Sequence, residues 1–154
     1  MKKHLFVVVS LSLLLIISCG KKETAQKNSP DINVKSISSQ EEFTKILESS
    51  QNKLLVFDLY ADWCAPCRML APTYNEIAGT HKEKAAFYRV NVDKHPEIAQ
   101  AFGVRGIPYV VFVKNKEVVN ALTGLNPRES YEKVILACGN ENSAADCSNN
   151  LGSM

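Results

Sequence analysis

The sequence predicts a single α/β domain, a central mixed β-sheet flanked by helices. Three observations carry this prediction. Strand-like and helix-like segments alternate through the middle of the chain. The stretch Leu54-Leu-Val-Phe57 runs into Asp58-Leu-Tyr60 as a nearly continuous apolar run, which suits a strand covered on both faces, as in a parallel sheet. Near the end, two apolar segments separated by a short polar turn predict a hairpin, followed by a closing helix.

Taken in order, Ile32 to Ile37 alternates well enough for a short edge strand. Ser38 and Ser39, with Glu41 and Glu42 three residues on, form overlapping capping boxes ahead of Phe43, Ile46 and Leu47 on one helical face. After the Leu54–Tyr60 strand, helical periodicity resumes beyond Cys64 through Met69, Leu70, Tyr74, Ile77 and Ala78, with Pro72 as an internal kink. Ala86 to Val92 reads as a second central strand, and Pro96 to Phe102 as a short helix closed by Gly103. Tyr109–Val113 and Glu117–Ala121 flank a turn at Lys114-Asn-Lys116. Asn126-Pro127 supplies a cap and first position for a last helix bearing Tyr131, Val134, Ile135 and Leu136.

At 154 residues the chain holds one domain with extensions. Eighteen lysines and arginines against 16 aspartates and glutamates leave no strong field to recruit nucleic acid, and Lys2 and Lys3 account for the surplus. The N-terminus reads as an address. Lys2-Lys3, the apolar run Leu5 to Ile17 and the small residues Ser18-Cys19-Gly20 describe an export signal, the run being shorter than the roughly 20 residues that span a bilayer. Ile16-Ile17-Ser18-Cys19 resembles the lipobox of bacterial lipoproteins. That resemblance implies a signal peptide over 1–18 cut before Cys19, which then carries lipid; an ordinary cut nearby is the alternative. Residues 19–33 then form a flexible tether, 34–138 the folded domain, and the polar stretch 139–154 a tail.

The chemistry is carried by Cys64-Ala65-Pro66-Cys67, at the start of a helix-like segment. Two intervening residues allow thiols on the first helical turn to close a disulfide and reopen it. A helix N-terminus favours thiolate through its free N–H groups and its dipole. The pattern points to thiol–disulfide exchange with Cys64 as the attacking sulfur. The alternative, half of a zinc site, needs a second ligand pair. His81, His95, Cys138 and Cys147 do not supply one at tight spacing, so no metal is expected.

These landmarks resemble the thioredoxin family over roughly Ile32 to Cys138. Trp63-Cys64-Ala65-Pro66-Cys67-Arg68 is similar to the family's active-site motif, Gly106-Ile107-Pro108 to its cis-proline loop, Asp58 to its buried aspartate and Pro72 to its kinking proline, while Gly124 sits where the last hairpin strand meets its closing loop. The spacing from Cys67 to Pro108 leaves no room for the insertion of relatives devoted to cytochrome maturation. The Asp58–Cys64 segment is also similar to the thioredoxin-like domain of envelope reductant-conducting proteins.

The resemblance implies a thioredoxin fold and a protein-disulfide reductase without bound cofactor, working through a Cys64/Cys67 mixed-disulfide cycle. Asp58 would exchange a proton with Cys67 through water, unless it faces solvent at the strand end. Trp63, Ala65, Pro66, Ile107, Pro108 and Gly124 would form the substrate site, Trp63 otherwise being a core aromatic. Arg89, where many relatives carry lysine, would hold Asp58 more ionised or else be solvated. Cys138 and Cys147 read as a structural disulfide, with a second relay or free thiols as alternatives. The implied partners are protein disulfides, a protein electron donor such as a membrane reductant conductor, and a membrane reached through the lipid; the protein would act as a monomer. Rival readings are an envelope oxidase or isomerase, and a binding module with dispensable cysteines. His81, His95 and Lys82-Glu83-Lys84 read as solvated.

Overall fold

The structure is a computed structural model, and it describes residues 33–50, 52–140 and 144–152. Residues 1–32, where the sequence predicts a signal peptide, the lipidated Cys19 and all of the tether but Asn33, lie outside the described residues. The elements run β1 (Val34–Ser36), α1 (Gln40–Ser49), β2 (Leu54–Tyr60), α2 (Ala65–His81), β3 (Ala85–Asn91), α3 (Pro96–Ala101), β4 (Tyr109–Lys114), β5 (Glu117–Thr123), α4 (Arg128–Cys138) and α5 (Ala144–Gly152). Five strands form one sheet in the order β1-β3-β2-β4-β5. β1 and β2 pair with β3 in parallel, while β4 runs antiparallel to β2 and β5 to β4.

The sheet separates two cores because side chains alternate across it. Leu54, Val56 and Phe87 face Leu70, Tyr74 and Ile77 of α2 and Tyr131, Val134 and Ile135 of α4. Leu55, Phe57, Leu59 and Tyr88 face Phe43 of α1 and Ile98 of α3. Phe43 meets Phe57 edge-on at 5.3 Å, and Phe57 stacks on Tyr88 at 5.2 Å. Fully buried leucines such as Leu54, Leu59 and Leu70 each contribute roughly 1.5–3 kcal/mol of transfer free energy. The first six residues of β2 are buried, as the continuous apolar run requires, and Asp58 is buried with them.

The cap before α1 forms at Ser39, whose hydroxyl accepts from the Glu42 N–H. The Glu42 carboxylate reaches back one residue further than a simple capping box, accepting from the Ser38 N–H. α2 continues through Pro72. Asn115 and Lys116 take the positive φ values of a tight hairpin turn, 51° and 69°.

Four expectations need correction. Asn126 does not cap α4: its amide donates to the carbonyls of Thr123 and Gly124, and Pro127 takes the cap position. Leu136 points outward and is exposed, because the buried face of α4 is set by Tyr131, Val134, Ile135 and Cys138. His81 is buried rather than solvated, its Nε2 lying 3.2 Å from Glu132 Oε1 and so joining the end of α2 to α4. The polar tail contains a helix, α5, with Cys147 in the core and Leu151 packed against it. Among the described residues no helix is long and apolar enough to cross a membrane.

Candidate active site

α2 begins where β2 ends, so the sheet aims the helix N-terminus at one edge of the molecule. Cys64 is the N-cap of α2, and its Sγ accepts from the Cys67 N–H at 3.1 Å. Pro66 lies in the first turn, where a missing donor costs nothing. The two sulfurs are joined in a disulfide. Cys67 is fully buried and Cys64 is 3% exposed, but Trp63, Ala65, Pro66, Arg68 and Met69 around them are exposed. Ala61, Cys64 and Cys67 form a small apolar cluster, onto which Tyr60 and Ile107 pack.

Ile107 arrives from the loop before β4, and the Ile107–Pro108 bond is cis, as the motif implied. Gly124 clips this loop in place: its N–H donates to the Pro108 carbonyl at 2.8 Å while its φ of +79° is one that L side chains rarely adopt. The structure therefore gathers Cys64, Cys67, Ile107, Pro108 and Gly124 at one end of the sheet. Trp63 is 69% exposed, which excludes a core role for it.

Asp58 is completely buried on the sheet face that carries α2, so the solvent-facing reading fails. Its strand register places it opposite Arg89, whose Nε donates to Oδ2 at 2.9 Å. Oδ1 has no hydrogen-bond partner among the described residues. Burial pushes the Asp58 carboxyl up to about 6, against the opposing pull of the Arg89 guanidinium. Burial, together with the Asp58 charge, also pushes the Tyr74 phenol up, which keeps it a neutral donor to the Val56 and Tyr88 carbonyls. Arg89 itself stacks over the Tyr60 ring, Cζ 3.9 Å from the centroid, so it is a paired residue and not a solvated one.

Cys138 and Cys147 are also joined in a disulfide, linking α4 to α5 at the far end of the same core, and both are fully buried. Lys114 lies beneath them, its Nζ donating to the Cys138 carbonyl at 3.0 Å. Among the described residues no cluster of three histidines, cysteines or acids is placed to hold a metal ion.

The sequence profile of the thioredoxin family matches residues 34–137, the span that holds every feature of this site. This chain belongs to the thioredoxin family. It is 42% identical over 88 residues to thioredoxin H4 of Arabidopsis thaliana, covering 57% of this chain and 74% of that one. It is 37% identical over 95 residues to a thioredoxin of Malassezia sympodialis, covering 61% and 89%. Among solved structures, the Nicotiana alata thioredoxin NaTrxh superposes with a TM-score of 0.65 at 30% identity, covering 69% of this chain and 92% of that one. The Malassezia sympodialis thioredoxin structure gives 0.63 at 34% identity, covering 69% and 90%. The protein is thus a thioredoxin-family disulfide oxidoreductase, a protein-disulfide reductase whose redox-active cysteine pair needs no external cofactor. α5 lies beyond the matched span.

Sequence reasoning missed three polar residues here. Trp63 Nε1 donates to Asp93 Oδ2 at 2.9 Å, the Asp93 N–H donates to Asn91 Oδ1, and Asn91 Nδ2 donates to Asp62 Oδ2. The available signal was Asn91-Val92-Asp93 at a strand end, a sequence able to form an Asx turn, but that turn alone names no partner.

Proposed function

We propose that this thioredoxin is an exported, lipid-anchored reductase of protein disulfides in the cell envelope. The observation that carries the chemistry is the seat of Cys64: helix N-cap, Sγ accepting the Cys67 N–H, with the Ile107–Pro108 loop packed against it. In the reduced enzyme these dipoles favour the Cys64 thiolate. That thiolate attacks a substrate sulfur and forms a Cys64–substrate disulfide, expelling the second substrate sulfur as a thiolate. Cys67 then passes its proton through a water to Asp58 and attacks Cys64 Sγ, which closes Cys64–Cys67 and expels the substrate thiolate; that thiolate takes up a proton, so the substrate leaves as a dithiol. A carboxyl near 6 is suited to this transfer, being close to the working pH. Ile107 and Pro108 offer an extended edge to the substrate backbone, with Trp63, Ala65 and Pro66 as the opposite rim.

Two electrons must then return from a protein donor, because the sequence holds no G-x-G-x-x-G nucleotide fingerprint. Lys2-Lys3, the Leu5–Ile17 run and Cys19 support export and lipid attachment, which would tether the domain to a membrane through residues 19–33. Replacing Cys19 with Ala should move the protein from the membrane to the soluble fraction. The catalytic reading is tested with Cys67→Ser, which should accumulate substrates bound covalently to Cys64. Absence of mixed disulfides on that variant, with no insulin reduction by the parent protein, would remove the reading. A reduction potential near about −270 mV supports a reductant, and one near −120 mV an oxidase.

A further inference from the structure

Trp63 is the single tryptophan of the sequence and stands exposed beside Cys64, yet its indole is held. Its Nε1 donates to Asp93 Oδ2 at 2.9 Å. Asp93 is set in turn by Asn91, whose Oδ1 accepts the Asp93 N–H at 2.9 Å. The other end of the same amide, Nδ2, donates to Asp62 Oδ2 at 3.2 Å, and Asp62 immediately precedes Trp63. Asn91 is only 6% exposed and ends β3 opposite Tyr60, the last residue of β2. Its carbonyl accepts from the N–H groups of Lys94 and His95, which closes the turn that carries Asp93. From the helix side, Arg68 donates to the Asp62 carbonyl at 2.9 Å.

One buried amide therefore uses both polar ends to hold the two acidic residues that border the indole. Only an amide suits this position. A carboxylate at 91 could accept from Asp93 but would face the Asp62 carboxylate with like charge; an apolar residue would leave the Asp93 N–H without its side-chain acceptor and Asp62 Oδ2 without its donor. Buried amides commonly serve the core, whereas this one fixes an exposed ring. A ring fixed before contact loses less freedom when a partner lies on it, and an indole offers a large apolar face.

We infer that Asn91 is a positioning residue of the reductase: through Asp62 and Asp93 it holds Trp63 as a rigid wall beside Cys64. The apolar chain flanking the substrate cystine lies against that wall. The inference rests on the proposed reduction of protein disulfides, and one of its two readouts is independent of that reading.

The experiment compares the parent protein with Asp93→Ala, Asp93→Asn and Asn91→Asp. Time-resolved fluorescence anisotropy of the lone Trp63 reports indole mobility without any turnover. Asp93→Ala and Asn91→Asp should give faster local depolarisation and an insulin KM raised about fivefold with kcat held within about twofold. Asp93→Asn, whose amide oxygen still accepts from the indole, should restore both readouts. Unchanged depolarisation in Asp93→Ala overturns the clasp. A freed indole with unchanged KM, or a loss confined to kcat, overturns its role in the reaction. Unchanged depolarisation and KM in Asn91→Asp overturn the part given to Asn91; should that variant fail to fold, Asp62→Ala, which removes the exposed acceptor of the Asn91 amide, decides in its place by the same two readouts. If the parent protein reduces no insulin, the functional reading fails while the anisotropy still decides the clasp.

Discussion

Cys64–Cys67 and Cys138–Cys147 are the same bond in opposite settings. Average exposure barely separates them, since Cys64 is 3% exposed and the other three cysteines are fully buried. What differs is the neighbourhood. Cys64 opens a helix, within a ring of exposed residues and against a loop that can receive a chain. Cys138 closes a helix and, with Cys147, is packed among Tyr131, Val134, Ile135 and Leu151. Behind the first pair stands an acid on the α2 face of the sheet; around the second stand apolar side chains and a lysine, Lys114, whose ammonium is held by the Cys138 carbonyl. An attacking thiolate must approach along the S–S axis, so a bond inside a packed core is reached only when α5 opens. The difference teaches that exchange chemistry is a property of surroundings more than of sulfur.

The comparison breaks most visibly on serine substitution. Cys64→Ser should lower insulin reduction by about 10³-fold or more, with little change in stability relative to the reduced parent protein. Replacing Cys138 and Cys147 together should do the reverse. Turnover should stay within about twofold, while urea unfolding should show a loss of about 2–3 kcal/mol, the loop-closure value for a bridge spanning nine residues. Inactivity of the second variant at a temperature where it is folded would end the division of labour.

Asp58→Asn sharpens the contrast next. It should slow release of the mixed disulfide by about 10- to 100-fold. It should also stabilise the fold, and the sign follows from linkage. The folded carboxyl, raised from 3.8 to about 6, binds more protons than the unfolded one between those values. Its favourable contribution is therefore present below about pH 4 and lost as pH rises through 6. The variant should then match the parent near pH 3 and exceed it by up to about 3 kcal/mol at pH 8, measured by denaturant titration. Equal stability at both pH values would mean that Asp58 is not the strained acid of the site.

Arg89→Met has the smallest expected effect. Without the guanidinium the Asp58 carboxyl rises further, so the acid limb of the pH–rate profile should move up by about one unit. Arg89→Lys should fall between, keeping charge but losing the planar stack on Tyr60. A profile that stays in place would show that the ion pair does not reach the chemistry.

Much of this was legible beforehand because it is local. An apolar run around one aspartate signals a buried acid, and Ser39 with Glu42 signals a helix start. Two cysteines around Ala-Pro mark a helix N-terminus. α5 was not legible: among its described side chains only Ala144, Cys147 and Leu151 turn inward, at i, i+3 and i+7, within a sequence rich in Asn and Ser. So thin a stripe gives little burial, and the bridge to Cys138 supplies the attachment that apolar area does not. His81 was misread because its partner, Glu132, lies 51 residues away. Asn91 was missed for the same reason, its partner Asp62 being 29 residues away.

By itself the sequence determined the reactive pair, its place on a helix and the acid within a buried strand, since those depend on spacing along the chain. Only the tertiary structure decided that Arg89 would meet that acid, that Gly124 would hold Pro108 and that Asn91 would fix Trp63. Each of those contacts depends on the register of strands or on loops that the sheet brings together, and register is set by the packing of both cores at once.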